Sequence, residues 1–191
     1  LVNFEDGKTL EIQFVDLTKY YNNNGFATNS SLDKKAQLNV SSRVYFLPEG
    51  LPSGEIIEVG RMKFRFPVIS EGKNDNVYGC GQWIEVEVPT GNYQTIMLLG
   101  FSLLKGYAGT LTVLYEDGQQ EEVDFALSHI GAAFPLYGET VAWEGLYYEK
   151  KANAKAHLFC KEYRLAKKGT IKAIKLPDWP MFSIVSISLG K

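Results

Sequence analysis

The amino-acid sequence predicts an all-β protein, an antiparallel β-sandwich or jelly roll, and three observations carry that prediction. Residues 110–127 form a period-two pattern around a turn: Leu111, Val113 and Tyr115 precede Glu116-Asp117-Gly118, and Val123, Phe125 and Leu127 follow it. Alternation about an Asp-Gly turn is the strongest short-range hairpin signal, because the turn needs positive φ and one sheet face must be dry. Similar apolar segments recur along the chain, roughly nine or ten in all, each bounded by turn residues and none with helical period. Eighteen Gly and seven Pro accompany many Val, Ile, Thr, Tyr and Phe, a composition of strands and turns.

The first strand is expected over Leu10–Leu17. A long polar stretch, Tyr20 to Ser42, follows, and connections of that length in compact domains tend to be functional or mobile. Ile56–Phe66 reads as a strand stopped by Pro67. After the polar loop containing Asn74-Asp75-Asn76, Trp83–Val88 sets Ile84, Val86 and Val88 on one face and Trp83, Glu85 and Glu87 on the other. Ile96–Leu99 is apolar on both faces, as a covered central strand would be. Past the 110–127 hairpin, Phe134 to Tyr148 is aromatic and does not alternate, so it reads as irregular. Three strands close the chain: His157–Leu165, Thr170–Leu176 and Phe182–Leu189, the last with Val185, Ile187 and Leu189 on one side. Two packed antiparallel sheets in one domain, residues 1–191, accommodate this order.

At 191 residues the chain can bury a real core without staples. Its 45% hydrophobic and 22% charged content is that of a globular protein, and its net charge of −2 gives no pull toward nucleic acid or an anionic membrane. No apolar run reaches the roughly 18 residues of a spanning helix, and no stretch reads as a signal peptide. The chain opens at Leu1 without Met, as a processed protein or an excised domain would. Cys80 and Cys160 can form one disulfide or none. With His129 and His157 far apart and no Cys-x-x-Cys, they do not make a zinc site.

The chemistry-bearing residues are sparse. Ser128 and His129 are neighbours, but adjacent strand residues point to opposite faces, and no Gly-x-Ser-x-Gly elbow is present. Glu139, Glu144 and Glu149 have the side chains of a glycosidase pair, although solvated loop charge is the plainer reading. Asn22-Asn23-Asn24-Gly25 and Asn74-Asp75-Asn76 are oxygen-rich turns of the kind calcium accepts, and also ordinary turn formers. The cofactor expectation is therefore none, with a structural calcium as the metal that the pattern admits. Lys150 to Lys175 holds nine Lys or Arg against one acid, Glu162, with Glu149 just before it. Such a stretch suits phosphate or an anionic glycan, or simply a solvated face.

Aromatic residues are the most telling group, with eleven Tyr, eleven Phe and three Trp. Most must pack the core. The exceptions stand beside acids: Trp83 with Glu85 and Glu87, Trp143, Tyr147 and Tyr148 with Glu144 and Glu149, and Trp179 between Asp178 and Pro180. A sugar ring stacks its C–H face on an aromatic plane while its hydroxyls seek carboxylates and amides. The expected carbohydrate-binding residues are thus Trp143 as platform, Tyr147 beside it, Glu144 and Glu149 as acceptors, and Trp179 from the last turn. No nucleophile, metal cluster or cofactor loop stands out, so a non-catalytic domain is expected.

A family resemblance adds to this. Val15-Asp16-Leu17 with Tyr21-Asn22-Asn23-Asn24-Gly25 resembles the opening of accessory β-sandwich domains attached to bacterial glycoside hydrolases. Leu51-Pro52-Ser53-Gly54, Val59-Gly60, Phe64-Arg65-Phe66-Pro67, Asp75-Asn76-Val77, Gly81-Gln82 and Leu98-Leu99-Gly100 follow in order. Gly109 to Val113, Tyr115 to Gly118, and Ile174 to Asp178 complete the match. The segment Leu32 to Pro48 departs from the Gly- and Tyr-rich stretch usual there. The resemblance implies a galactose-binding-like jelly roll, a carbohydrate or glycan as ligand, and an adjacent catalytic domain as partner. It also implies a secreted or cell-surface setting, and the charge balance adds the expectation of no nucleic acid and no membrane as partner. Two alternatives stand beside it. One is a jelly-roll glycosidase or lyase, which needs facing acids, or Tyr and His, in one cleft. The other is a structural or protein-interaction sandwich with a flat aromatic patch.

Overall fold

A computed structural model describes residues 10–28, 36–38, 44–79, 83–103, 105–149, 151–179 and 182–191. Among them there is no helix, and thirteen strands form antiparallel sheets. They are β1 (Ile12–Phe14), β2 (Tyr45–Phe46), β3 (Ile56–Val59), β4 (Met62–Arg65), β5 (Val77–Tyr78), β6 (Ile84–Asn92) and β7 (Thr95–Ser102), followed by β8 (Tyr107–Tyr115), β9 (Gln120–Leu127), β10 (Thr140–Glu149), β11 (Ala152–Arg164), β12 (Thr170–Leu176) and β13 (Phe182–Gly190). The large sheet has the order β1-β13-β7-β11-β10-β2, with β5 also on β13. The second has the order β6-β12-β8-β9, and β3-β4 is a separate ribbon. The expected β-sandwich is the observed fold.

The β8–β9 hairpin forms as the sequence predicts, pairing Leu111 with Val123 and closing at Gly118, whose φ is 84°. Its alternating apolar residues are buried against the large sheet. Both faces of β7 are buried along its whole length. Ile96 and Leu98 face the four-stranded sheet. Met97, Leu99 and Phe101 face a second core built with the β3–β4 ribbon and with Phe26, Leu38, Val44 and Phe46. Gly100 is the one position on β7 where a close approach excludes a side chain, because a Cβ there would collide with the Ser183 carbonyl oxygen on β13.

Local irregularities explain the departures from expectation. Ile56–Phe66 is not one strand but a hairpin, turned at Gly60 with φ 58°. The strand expected over 83–88 runs on to Asn92 through Pro89, which an edge strand tolerates. The first strand shrinks to three residues. On β13 a register shift between Ile184 and Ser186 flips the pattern. Val185 therefore joins the second core while Ile187 and Leu189 join the first, and the expected one-sided stripe is split. The irregular segment expected over Phe134 to Tyr148 is irregular only before Thr140, and the remainder is β10. A bulge between Val141 and Trp143 breaks the alternation that would have revealed this strand.

The two Asn-rich turns, far apart in sequence, clasp one another. The Asp75 carboxylate is 1% exposed and accepts from the Gly25 and Phe26 amides, at 2.9 and 3.1 Å. The Asn22 side chain accepts from Tyr78 N and donates to Tyr78 O, while Asn23 bridges Asn76. This seats Phe26 in the second core, stacked on Phe46 at 4.6 Å and edge-on to Phe66 at 5.1 Å. Asn29 to Lys35 and Asn39 to Arg43, the middle of the long polar stretch, lie outside the described residues, as does Cys80. Cys160 is buried in β11, where burial pushes its thiol up to about 12.

Asp75→Ala strands two buried amides without their charged acceptor. Urea denaturation should show a loss of about 3 kcal/mol, of which Asp75→Asn recovers part.

Candidate functional site

The connections at one end of β7 build a cavity of about 520 Å³. Leu103 and Lys105 come from the β7–β8 connection, His129 to Leu136 from the β9–β10 connection, and Glu149 from the end of β10. Its size falls within the range of small-molecule sites, which combine apolar walls with a few convergent polar groups. Phe134 is 66% exposed and Leu136 50% exposed, so two large apolar side chains meet water beside Lys105, His129 and Glu149.

A buried carboxylate holds this loop in place. Glu139 is 7% exposed and accepts from Ser128 N at 2.6 Å, Ser128 Oγ at 3.0 Å and Tyr137 N at 2.9 Å. Ser128 Oγ in turn accepts from Leu136 N at 2.8 Å. The 128–139 loop is therefore gathered at both ends onto one side chain, which leaves Phe134 projecting. His129 sits on the other side of the chain from Ser128. Its Nδ1 accepts from Gly131 N at 3.1 Å, which places the ring proton on Nε2, toward the Leu103 carbonyl. Burial lowers its pKa and outweighs the Leu103 hydrogen bond and the Glu149 charge, so the ring is neutral at pH 7.

Two of the residues expected from sequence reach this site. Glu149 lines it, and the Tyr147 hydroxyl lies 3.4 Å from Glu149 Oε2. Burial raises the Tyr147 pKa, with the Glu149 charge adding to it, so the hydroxyl keeps its proton. The Tyr147 ring itself is buried in the second core.

Trp143 is placed differently from the expected loop platform. It lies within β10, half-buried. Its indole N–H donates to the Gly50 carbonyl at 2.7 Å, and its ring meets Phe46 edge-on at 5.8 Å. The indole also folds over Gly145, where any Cβ would strike it. Its faces are committed to packing, and the exposed ring at the cavity is Phe134. Glu144 points to the opposite face of β10, five residues from Glu149. There it accepts from Lys155 at 3.3 Å and meets His157 Nε2 at 3.0 Å. The hydrogen bond from His157, with that from Lys155, lowers the Glu144 pKa. Trp179 stands on the β12–β13 connection against Gly79, next to β5. Because β5 lies beyond β13, four strands from β10 in the large sheet, it is about 19 Å away across the sheet. It does not join the others.

The remaining motifs find partners elsewhere. Glu139 is enclosed by donors and Glu144 and Glu149 face opposite ways, so the three acids do not face one another as a pair. The oxygens of Asp75 and Asn22 point at backbone amides, and no cluster of three His, Cys, Asp or Glu that would suit a metal exists among the described residues. Trp83 is exposed and carries the Lys175 ammonium 4.6 Å from its ring centre. Sequence reasoning did not single out Lys105 or Leu136 and discounted His129, because each sits in a connection without periodicity.

Two substitutions separate scaffold from site. Glu139→Ala should cost about 3 kcal/mol, with hydrogen exchange accelerated at Ser128 and Tyr137, which lose their charged acceptor. Trp143→Ala should also cost about 3 kcal/mol in a thermal or urea melt, as packed aromatics do.

A model of the family described as the AziU2-like beta-sandwich domain matches residues 11–191. No curated protein matches the chain.

Proposed function

The chain belongs to the AziU2-like β-sandwich family, and we propose that it acts as a non-catalytic carbohydrate-binding or accessory module. The observation that carries this reading is the exposed Phe134 ring in one cavity with Lys105, His129 and Glu149. An aromatic plane takes the C–H face of a sugar ring. The Glu149 carboxylate accepts from its hydroxyls and the Lys105 ammonium donates to them, and the Leu103 and Leu136 side chains exclude water around the contact. The His129 imidazole accepts from the Gly131 amide through Nδ1 and burial lowers its pKa, which suits a wall better than a proton carrier. The resemblance to accessory domains of bacterial glycoside hydrolases supports a galactose-binding-like form of the sandwich. It also supports a catalytic domain as neighbour and a secreted or cell-surface setting.

A glycan panel presented in affinity gels tests the reading, with turnover followed on the same glycans. Retention of at least one glycan, without turnover, is expected. Phe134→Ala should abolish that retention and leave the melting temperature unchanged, because the ring is exposed. Retention that survives Phe134→Ala would place binding elsewhere, and turnover lost on replacing Glu149 would favour the jelly-roll lyase or glycosidase.

A further inference from the structure

The opposite end of β7 holds a second and larger cavity, of about 870 Å³, between the β6–β7 turn and the β11–β12 connection. Arg164, Lys167 and Lys168 line it together with Asn92 and Gln94, and no Asp or Glu does. The carboxylates nearest to it already have partners. Glu121 accepts from the Tyr115 hydroxyl at 2.6 Å and from the Ala166 and Lys167 amides at 2.6 and 3.0 Å. Glu11 pairs with Lys191, a further lining residue, at 2.6 Å. Lys167 Nζ donates to the Gln120 carbonyl, a neutral acceptor that leaves the ammonium charge in place. Arg164 and Lys168 are exposed, and no carboxylate among the described residues lies within ion-pair distance of either.

The chain as a whole carries a net charge of −2, so this concentration of cations is local. Positive charge in a concave, partly apolar site focuses field outward and raises the local concentration of anions. The donor set is specific as well. A guanidinium grips two oxygens of a carboxylate or phosphate at once, ammonium groups add point charge, and side-chain amides donate from the cavity wall. We propose that this cavity binds an oxyanionic substituent on a sugar-sized molecule, a phosphate monoester or a carboxylate. It does so independently of the Phe134 site, which lies at the other end of β7. The basic run from Lys150 to Lys175 is thereby resolved into different uses. Lys155 serves Glu144, Lys161 the Tyr137 carbonyl and Lys175 the Trp83 ring, while Arg164 at the end of β11 and the lysines just after it form a site.

Titration calorimetry on the intact protein at low ionic strength tests this with glucose 6-phosphate, glucuronate and glucose. Saturable binding of glucose 6-phosphate or glucuronate is expected, and whichever binds identifies the ester or the carboxylate as the source of the anion. That binding should persist in Phe134→Ala, weaken at least tenfold in the double variant Arg164→Ala/Lys168→Ala, and stay within twofold in Lys73→Ala/Lys172→Ala. The last removes the same charge from exposed positions elsewhere. Both double variants should melt like the parent. Absence of saturable binding by either anion would overturn the proposal, as would equal weakening in the two double variants or glucose binding as tightly as the anions.

Discussion

The arrangement depends on one constraint, that β7 and β13 are covered on both faces. A strand in that position is built mainly of apolar and small residues, because neither face meets water to solvate a large polar side chain. β7 meets the constraint with Ile96, Leu98 and Gly100 on one side and Met97, Leu99 and Phe101 on the other. β13 meets it less simply, through a bulge that moves Val185 to the second core and through three serines buried between the apolar residues. Together they turn a two-sheet sandwich into three layers, in which the β3–β4 ribbon and the clasped Asn-rich turns act as the third. The phenylalanine group of Phe26, Phe46, Phe66 and Phe101 fills the space that this third layer closes. Each such ring, fully buried, contributes roughly 1.5–3 kcal/mol, enough to hold short and otherwise weak elements against the large sheet.

Both cavities follow from the same covered strand, because its two ends are where the chain must leave the core. At the Ser102 end the connections carry apolar and polar side chains that a buried carboxylate, Glu139, holds in register. At the Thr95 end they carry cations. Glu139 illustrates the economy of a buried charge with several donors: it joins Ser128 to Tyr137 and so fixes a loop without regular structure. The same logic operates at Asp75, where one carboxylate ties two backbone amides from a turn more than forty residues earlier. Function in sandwich folds concentrates on such loops because the strands are committed to packing.

Much of the fold was legible in the residues, and what was hidden has a common cause. The β8–β9 hairpin and β12 with its bounds follow from period-two alternation between turns, and β7 from an unbroken apolar run. β10 was hidden by a bulge at Val141, β3–β4 was merged by a glycine turn, and β13 was read one-sidedly because of a register shift. In β10 and β13 a local irregularity changed the phase of the pattern. The site was less legible for a different reason. Trp143 and Tyr147 carry the right chemistry in the sequence, but they sit along the part of β10 that packs on the second core, whereas Glu149, on the same face, ends the strand at the cavity. Phe134 owes its exposure to hydrogen bonds made by Glu139, and pairing between distant residues leaves no local signature. The Asn-rich turns likewise read as calcium ligands or ordinary turns until their mutual partners are seen.

Native-state hydrogen exchange across a urea series tests most directly whether the covered sheet binds both cores into one cooperative unit. The amides of Ile96 to Phe101 and of Ile184 to Leu189 should then exchange only through global unfolding. Those of Phe26, Phe46 and Phe66 in the third layer should share its free energy and its urea dependence. A third layer that opens at much lower free energy, while the amides of β8 and β9 stay protected, would contradict this account and make the second core an appendage of an ordinary two-sheet sandwich.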